Sequence, residues 1–259
     1  MLDARDIVVR LAGKAILSGV SFRAIPGQIT AIVGPNGSGK TTLLRAFTQE
    51  VAYDGAIAIG GADIAGLAGW QLAARRAVLP QSSRIAFPFT VLEIVRLGLT
   101  ASATPAHDGR PLDALARVGL AGFEGRFYQE LSGGEQQRVQ LARVLAQVWD
   151  PVGPEGPRWL FLDEPVASLD IAHQLEVMGV LTDYAAAGGG VIAVMHDLNL
   201  TAVYARDVAV LSGGAILAQG PPTEILGDDL LSRAYGCTIR TGVAPNDGTP
   251  FVLPHMASL

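Results

Sequence analysis

The chain has 259 residues, 49% of them apolar, a formal net charge of −5 and a single cysteine, Cys237. This length and apolar content can bury a full core. The acidic balance removes any general electrostatic reason to bind nucleic acid or an anionic membrane, and one cysteine excludes an intramolecular disulfide.

In chain order, the N-terminus MLDARDIVVR carries acids where a secretion signal would have an apolar core, so the protein is expected in the cytosol. No apolar run approaches the roughly 20 residues that a spanning helix needs. Residues 1–28, including DIVVRL (6–11), and the stretch YDGAIAIGG (53–61) read as antiparallel strands. ITAIV (29–33), AVL (77–79), WLFL (159–162), GVIAVM (190–195) and VAVL (208–211) are apolar runs without alternation. That pattern predicts strands buried on both faces, as in a parallel sheet flanked by helices. From about 85 to 150 no convincing strand is visible. The segment reads as helices, one over 135–149, joined by the polar loop TASATPAHDGRP (100–111) into a helical sub-lobe. The tail from 241 to 259 is rich in Gly and Pro and is expected to be irregular. The expected fold is α/β, a mostly parallel sheet flanked by helices, with an N-terminal antiparallel β lobe and the inserted helical sub-lobe, all in one domain.

The stretch GPNGSGKTT holds one of only two lysines in the chain, among seventeen arginines. Gly34 to Thr41 fits the phosphate loop G-x-x-x-x-G-K-[ST], with a buried strand before it and the helix-like TTLLRAF after it. In this loop of Gly34, Pro35, Asn36, Gly37, Ser38 and Gly39 the glycines would let successive backbone N–H groups, Pro35 having none, point at phosphate oxygens, and the helix N-terminus adds positive potential. Lys40 would reach the terminal phosphates as a compact point charge, which a planar arginine fork cannot replace. The Thr41 hydroxyl suits Mg²⁺, and Thr42 completes the loop. A glycine-rich turn with an exposed lysine is the plain alternative, and the flanking strand and helix weigh against it.

Ligands of open α/β sheets bind where strands end, and four predicted strands end in useful groups: the phosphate loop, Gln81, Asp163 with Glu164, and His196. Two carboxylates after an apolar strand are costly to desolvate unless a cation or donor meets them. Asp163 suits Mg²⁺, and Glu164 could deprotonate an attacking water. DEP is also good turn chemistry. His196 could meet a γ-phosphate or simply cap the following helix, and Gln81 could touch Mg²⁺ or water or belong to a plain loop. LSGGEQQR (131–138) contains an S-x-x-E capping box, Ser132 with Glu135. A capping box does not need Gly133 and Gly134 in its middle; their uncovered N–H groups make a second anion site and suggest a composite pocket.

The ordered set GPNGSGKT, Gln81, LSGGEQQR, WLFLDEP, SLD (168–170) and His196 closely resembles the ATP-binding subunits of ABC transporters, over nearly the whole chain. The resemblance implies a P-loop NTPase fold with ATP and Mg²⁺ as ligands, the metal held by Thr41, Gln81 and Asp163. It implies two copies joined head to tail, each ATP held between Gly34–Thr42 of one and Ser132, Gly133, Gly134 and Gln136 of the other. Glu164 would be the catalytic base, His196 the γ-phosphate sensor, and Asp170 part of a loop communicating across the dimer. Gln81 and the helical lobe would couple to a transmembrane permease dimer. An extracytoplasmic substrate-binding protein would feed that permease, the chain sitting peripherally on the cytoplasmic face with no nucleic-acid partner.

LPQSSRIAFPFTVLEIVRLG (79–98) and HDLNLTAVYARDVAVL (196–211) look like the iron-complex and vitamin B12 importers. RVLAQVWDPVGPEGPRWLFLDEP and the GTPFVLPH tail are similar to haemin-importing members. An iron-siderophore or B12 cargo, and a soluble ABC ATPase acting on nucleic acid, are the competing readings. The chain departs from the family pattern at Val9, Arg10 and Leu11, where an adenine-stacking aromatic is usual. His107, His173 and His255 are read as solvated surface residues, not haem ligands.

Overall fold

A computed structural model describes residues 1–82, 85, 87–100, 109–245 and 247–253. The polar loop 101–108, which holds His107, and the terminal residues 254–259, which hold His255, lie outside that set.

Among the described residues the strands form two large sheets and one short two-stranded hairpin. β1 (Leu2–Leu11) and β2 (Lys14–Ala24) form a hairpin, and β4 (Asp54–Ile59) and β5 (Ala62–Asp63) extend it into an antiparallel sheet of order β2-β1-β4-β5. Along β1 the buried positions Leu2, Ala4, Ile7 and Val9 face one core, the alternation expected of a sheet with one wet face. The second sheet runs β12-β11-β3-β10-β9-β6, made of β3 (Ile29–Val33), β6 (Arg76–Leu79), β9 (Trp159–Asp163), β10 (Gly190–Val194), β11 (Asp207–Ser212) and β12 (Ala215–Gly220). β12 is an antiparallel edge and the other five strands are parallel.

Every residue of β3, β9 and β10 is buried. Ile32, Phe161, Ile192 and Ala209 face the core shared with α1 (Lys40–Phe47) and the antiparallel sheet. Ala31, Leu160, Leu162, Ala193 and Val208 face the opposite core. Two covered faces are why these strands show no alternation in sequence.

The remaining helices are α2 (Gly69–Arg75), α3 (Val91–Thr100), α4 (Arg110–Arg117), α5 (Gly133–Gln147), α6 (Ile171–Ala186), α7 (Leu198–Tyr204), α8 (Pro222–Ile225) and α9 (Asp228–Tyr235). Between 85 and 150 the described residues hold helices and one isolated bridge, Thr90 to Phe127, but no strand. α3 and α4 pack on α5 through Val91, Ile94, Leu115, Leu141 and Leu145.

α5 begins two residues before the expected start and ends two before the expected end. Ser132 is its N-cap and exchanges bonds with Glu135, Oγ accepting from the Glu135 N–H at 3.3 Å and its own N–H donating to Oε2 at 2.8 Å. The box therefore draws both glycines into the first turn. Trp149 falls beyond the helix, under the Arg117 guanidinium at 4.4 Å. A short hairpin, β7 (Val152–Gly153) with β8 (Gly156–Pro157), occupies the Pro/Gly-rich connection before β9 and was not expected from sequence. The described tail residues 241–245 and 247–253 contain no helix or strand.

Candidate nucleotide-binding site

Register aligns the carboxyl ends of the central strands. Ile32 pairs with Val194, Val194 with Asp163, and Leu79 with Leu162. The phosphate loop, Gln81, Glu164 and His196 consequently line one cleft of about 690 Å³, within the range of small-molecule sites. All four strand-end groups meet, as anticipated.

The loop is built around a close approach. Gly34 has φ +147°, and a Cβ there would lie 1.9 Å from the Leu211 carbonyl oxygen on β11. Lys40, only 6% exposed, donates from Nζ to the carbonyls of Gly34 at 2.8 Å and Pro35 at 3.0 Å. Burial lowers its pKa, opposed by the charges of Glu164 and Asp163. The Ser38 Oγ is buried with no hydrogen-bond partner. Lys40 lines the cleft, and an anion there would give its ammonium a direct counter-charge; Ser38 does not line it.

Asp163 ends β9 almost fully buried, and its carboxylate accepts a bond from the Thr41 hydroxyl at 3.3 Å. Burial raises its pKa, the Thr41 bond working against this and the neighbouring Glu164 charge adding to it. A buried carboxylate beside a hydroxyl is an oxygen donor set that fits Mg²⁺ completed by phosphate oxygens and water. Among the described residues no group of three His, Cys, Asp or Glu is arranged to hold a metal ion by itself, and a Mg²⁺ shared with phosphates does not require one.

Glu164 stands at φ +56°, a left-handed conformation that costs a non-glycine residue about 1–3 kcal/mol and clusters at functional positions. Its N–H donates to the Val194 carbonyl at 3.2 Å, and its Oε1 lies 2.5 Å from His196 Nε2. His196 is not the helix cap. Asp197 caps α7, its Oδ1 accepting from the N–H groups of Asn199 at 2.7 Å and Leu200 at 3.0 Å, which leaves the imidazole in the cleft. The pair can orient and deprotonate a water at the far end of the phosphate loop.

The other predicted residues lie outside this cleft. Ser132 and Gly133 are exposed at the start of α5, and Gly134 beside them is half-buried. Gln136 turns back on its own loop, Nε2 donating to the carbonyls of Tyr128 and Leu131, each at 3.1 Å. Asp170 caps α6, accepting from the His173 N–H at 3.0 Å, and also lies 2.8 Å from His173 Nδ1. His173 is thus paired to Asp170, not merely solvated. At the position of the missing aromatic, Val9 is buried and Arg10 and Leu11 are exposed, while Ile16 from β2 lines the cleft.

Three contributors were not singled out in sequence: Ile16, Leu211 beneath Gly34, and Gln137, whose Nε2 donates to the Glu164 carbonyl at 2.8 Å. Gln137 sat within the quoted octet; no spacing signals the other two.

Residues 17–167 match the ABC transporter family. The hemin import ATP-binding protein HmuV of Jannaschia sp. (strain CCS1) is 62% identical over 257 residues, covering 99% of this chain and 95% of that protein. The protein of the same name from Roseobacter denitrificans is 58% identical over 257 residues, with coverages of 99% and 98%. Among solved structures, a nucleotide-free ATP-binding cassette from an ABC transporter superposes with TM-score 0.78 at 24% identity, covering 90% of this chain and 98% of that one.

Proposed function

This chain belongs to the ABC transporter family as an ATP-binding, ATP-hydrolysing subunit, and from that premise we propose that it drives haemin uptake through a membrane permease dimer. Two copies work head to tail, and an extracytoplasmic binding protein delivers the cargo. The supporting observation is the division of the site. One cleft holds residues of the phosphate loop, Gln81, Glu164 and His196, while the exposed, glycine-started N-terminus of the helix Gly133–Gln147 contributes no residue to it. A second copy would bring that N-terminus onto the same triphosphate. Ser132, Gly133 and Gly134 would meet the γ-phosphate with backbone N–H groups. Gln136 would keep that loop in shape, and Asp170 would stand at the seam between copies.

In this reading the backbone from Gly34 to Gly39 and Lys40 grip the β- and γ-phosphates, with Thr41 and Thr42 at the helix start. Thr41, Asp163 and Gln81 would hold Mg²⁺, which neutralises charge developing on the phosphate oxygens. Glu164 takes the proton from the attacking water. His196 holds the Glu164 carboxylate and faces the γ-phosphate. Among the described residues no helix is long and apolar enough to cross a membrane. In this reading the chain attaches peripherally to the permease, through Gln81 and the helices from Val91 to Gln147.

The test is reconstitution with the permease and binding protein in liposomes. Haemin uptake should require ATP, and Glu164→Gln should slow turnover by about 10²-fold or more while ATP binding persists. Hydrolysis retained by that variant removes Glu164 from its role. Uptake of a siderophore or cobalamin but not haemin reassigns the cargo.

A further inference from the structure

Gln137 lies on the first turns of α5, half-buried, and its amide is spent on one acceptor, the main-chain oxygen of Glu164 at 2.8 Å. That oxygen receives one other bond among the described residues, from the Ala167 N–H at a long 3.4 Å. On the opposite side the Glu164 N–H is held by Val194 at 3.2 Å. The peptide groups around a left-handed glutamate are thus fixed from two elements, β10 and α5. Rotation of either would swing the carboxylate, because the backbone there sits in a narrow well that sterics alone do not favour.

The same end of α5 touches the segment after Glu164. A Cβ on Gly134 would lie 3.1 Å from Leu169 Cδ2 and 3.3 Å from the Ser168 carbonyl. Gln137 and Gly134 are three residues apart and share a helix face. One face of α5 therefore meets the chain from Glu164 to Leu169 at two points. An α-helix moves as a rigid rod, and Gln137 lies only about 6 Å along the axis from Gly133. A ligand docking on the helix N-terminus would carry the Gln137 amide with it.

We infer that Gln137 is a positioning residue for Glu164, its side-chain amide holding the glutamate backbone so that the carboxylate points into the cleft, and reporting to it the state of the α5 N-terminus. The inference rests on Glu164 being the base of the proposed reaction. Gln137 itself touches no reacting atom.

The experiment uses the full chain in its permease complex with two variants. Gln137→Met keeps the length and removes the donor; Gln137→Glu keeps the polarity and sets a carboxylate against the carbonyl. Both are expected to lower kcat by roughly ten- to a hundredfold, the scale of an ångström's misplacement of a catalytic group, while KM for ATP stays within about twofold. In single-turnover assays Gln137→Met should add nothing to the loss already caused by Glu164→Gln, as expected of coupled sites. Unchanged kcat in either folded variant overturns the inference, as does a parallel fall in kcat and ATP affinity or a full additive loss. If Glu164→Gln itself stays active, the base assignment fails. If Glu164→Gln is inactive and the Gln137 variants are not, only the positioning role fails.

Discussion

The close approach of Gly34 to β11 allows a perturbation to be sized before it is made. In Gly34→Ala the new Cβ would sit 1.9 Å from the Leu211 carbonyl oxygen and 3.2 Å from Ser38 Oγ, at φ +147°. A Cβ essentially never comes within 3.0 Å of another heavy atom of this kind, so loop and strand must separate by about 1.1 Å. Overpacking of that kind costs about 1–3 kcal/mol, and an alanine held in a glycine-only backbone region about as much again. A net loss of about 3 kcal/mol lowers the melting temperature by roughly 6–12 °C in a chain of this size. The displaced Gly34 carbonyl is also a bond partner of Lys40, so ATP affinity should fall together with stability. Gly37→Ala is the control: φ is +76° but nothing lies within 4 Å of the added atom, leaving only strain of about 1–2 kcal/mol. Thermal unfolding and equilibrium ATP titration of both variants decide the matter. A Gly34→Ala chain that melts no lower than Gly37→Ala, with normal ATP affinity, would show that the strand does not brace the loop.

Lys40→Ala should weaken ATP binding by roughly tenfold or more, the worth of a charge-assisted phosphate contact, and unchanged affinity in calorimetric titration would remove the lysine from the site. Asp163→Asn should separate stability from function. Burial raises the Asp163 pKa in the fold, so above that pKa the native state carries a desolvated anion that the unfolded chain does not. The penalty disappears as pH falls through the folded pKa. The nucleotide-free variant should then melt higher than the parent near neutral pH, with the difference closing on acidification, and should lose the extra stabilisation that Mg²⁺ adds to ATP. A lower melting temperature at neutral pH would contradict the burial argument.

The parallel core was legible because strands covered on both faces become unbroken apolar runs, and ITAIV, WLFL and GVIAV carry no competing period. The cleft was legible because sheet topology forces consecutive strand ends to one edge. Once Gly34–Thr41, Gln81, Asp163, Glu164 and His196 were each placed at a strand end, their meeting followed. Helix ends and one-residue choices were less legible. Whether His196 or Asp197 caps α7 depends on which side chain turns toward the first amides, and both are polar and adjacent. The hairpin of β7 and β8 is too short for any period to register.

What the sequence by itself determined is chemistry carried by neighbours along the chain. The phosphate loop, the acidic strand end and the glycine-started helix are local devices whose backbone needs are written in consecutive residues. Only the tertiary structure decided contacts between segments far apart in sequence. Leu211 lies under Gly34, Ile16 lines the cleft, and of two successive glutamines Gln136 ties down its own loop while Gln137 reaches the Glu164 carbonyl. The physical reason is rotation along a helix. Adjacent side chains differ by about 100° in direction, so identical residues side by side face different neighbours, and those neighbours exist only after the sheet and α5 have packed.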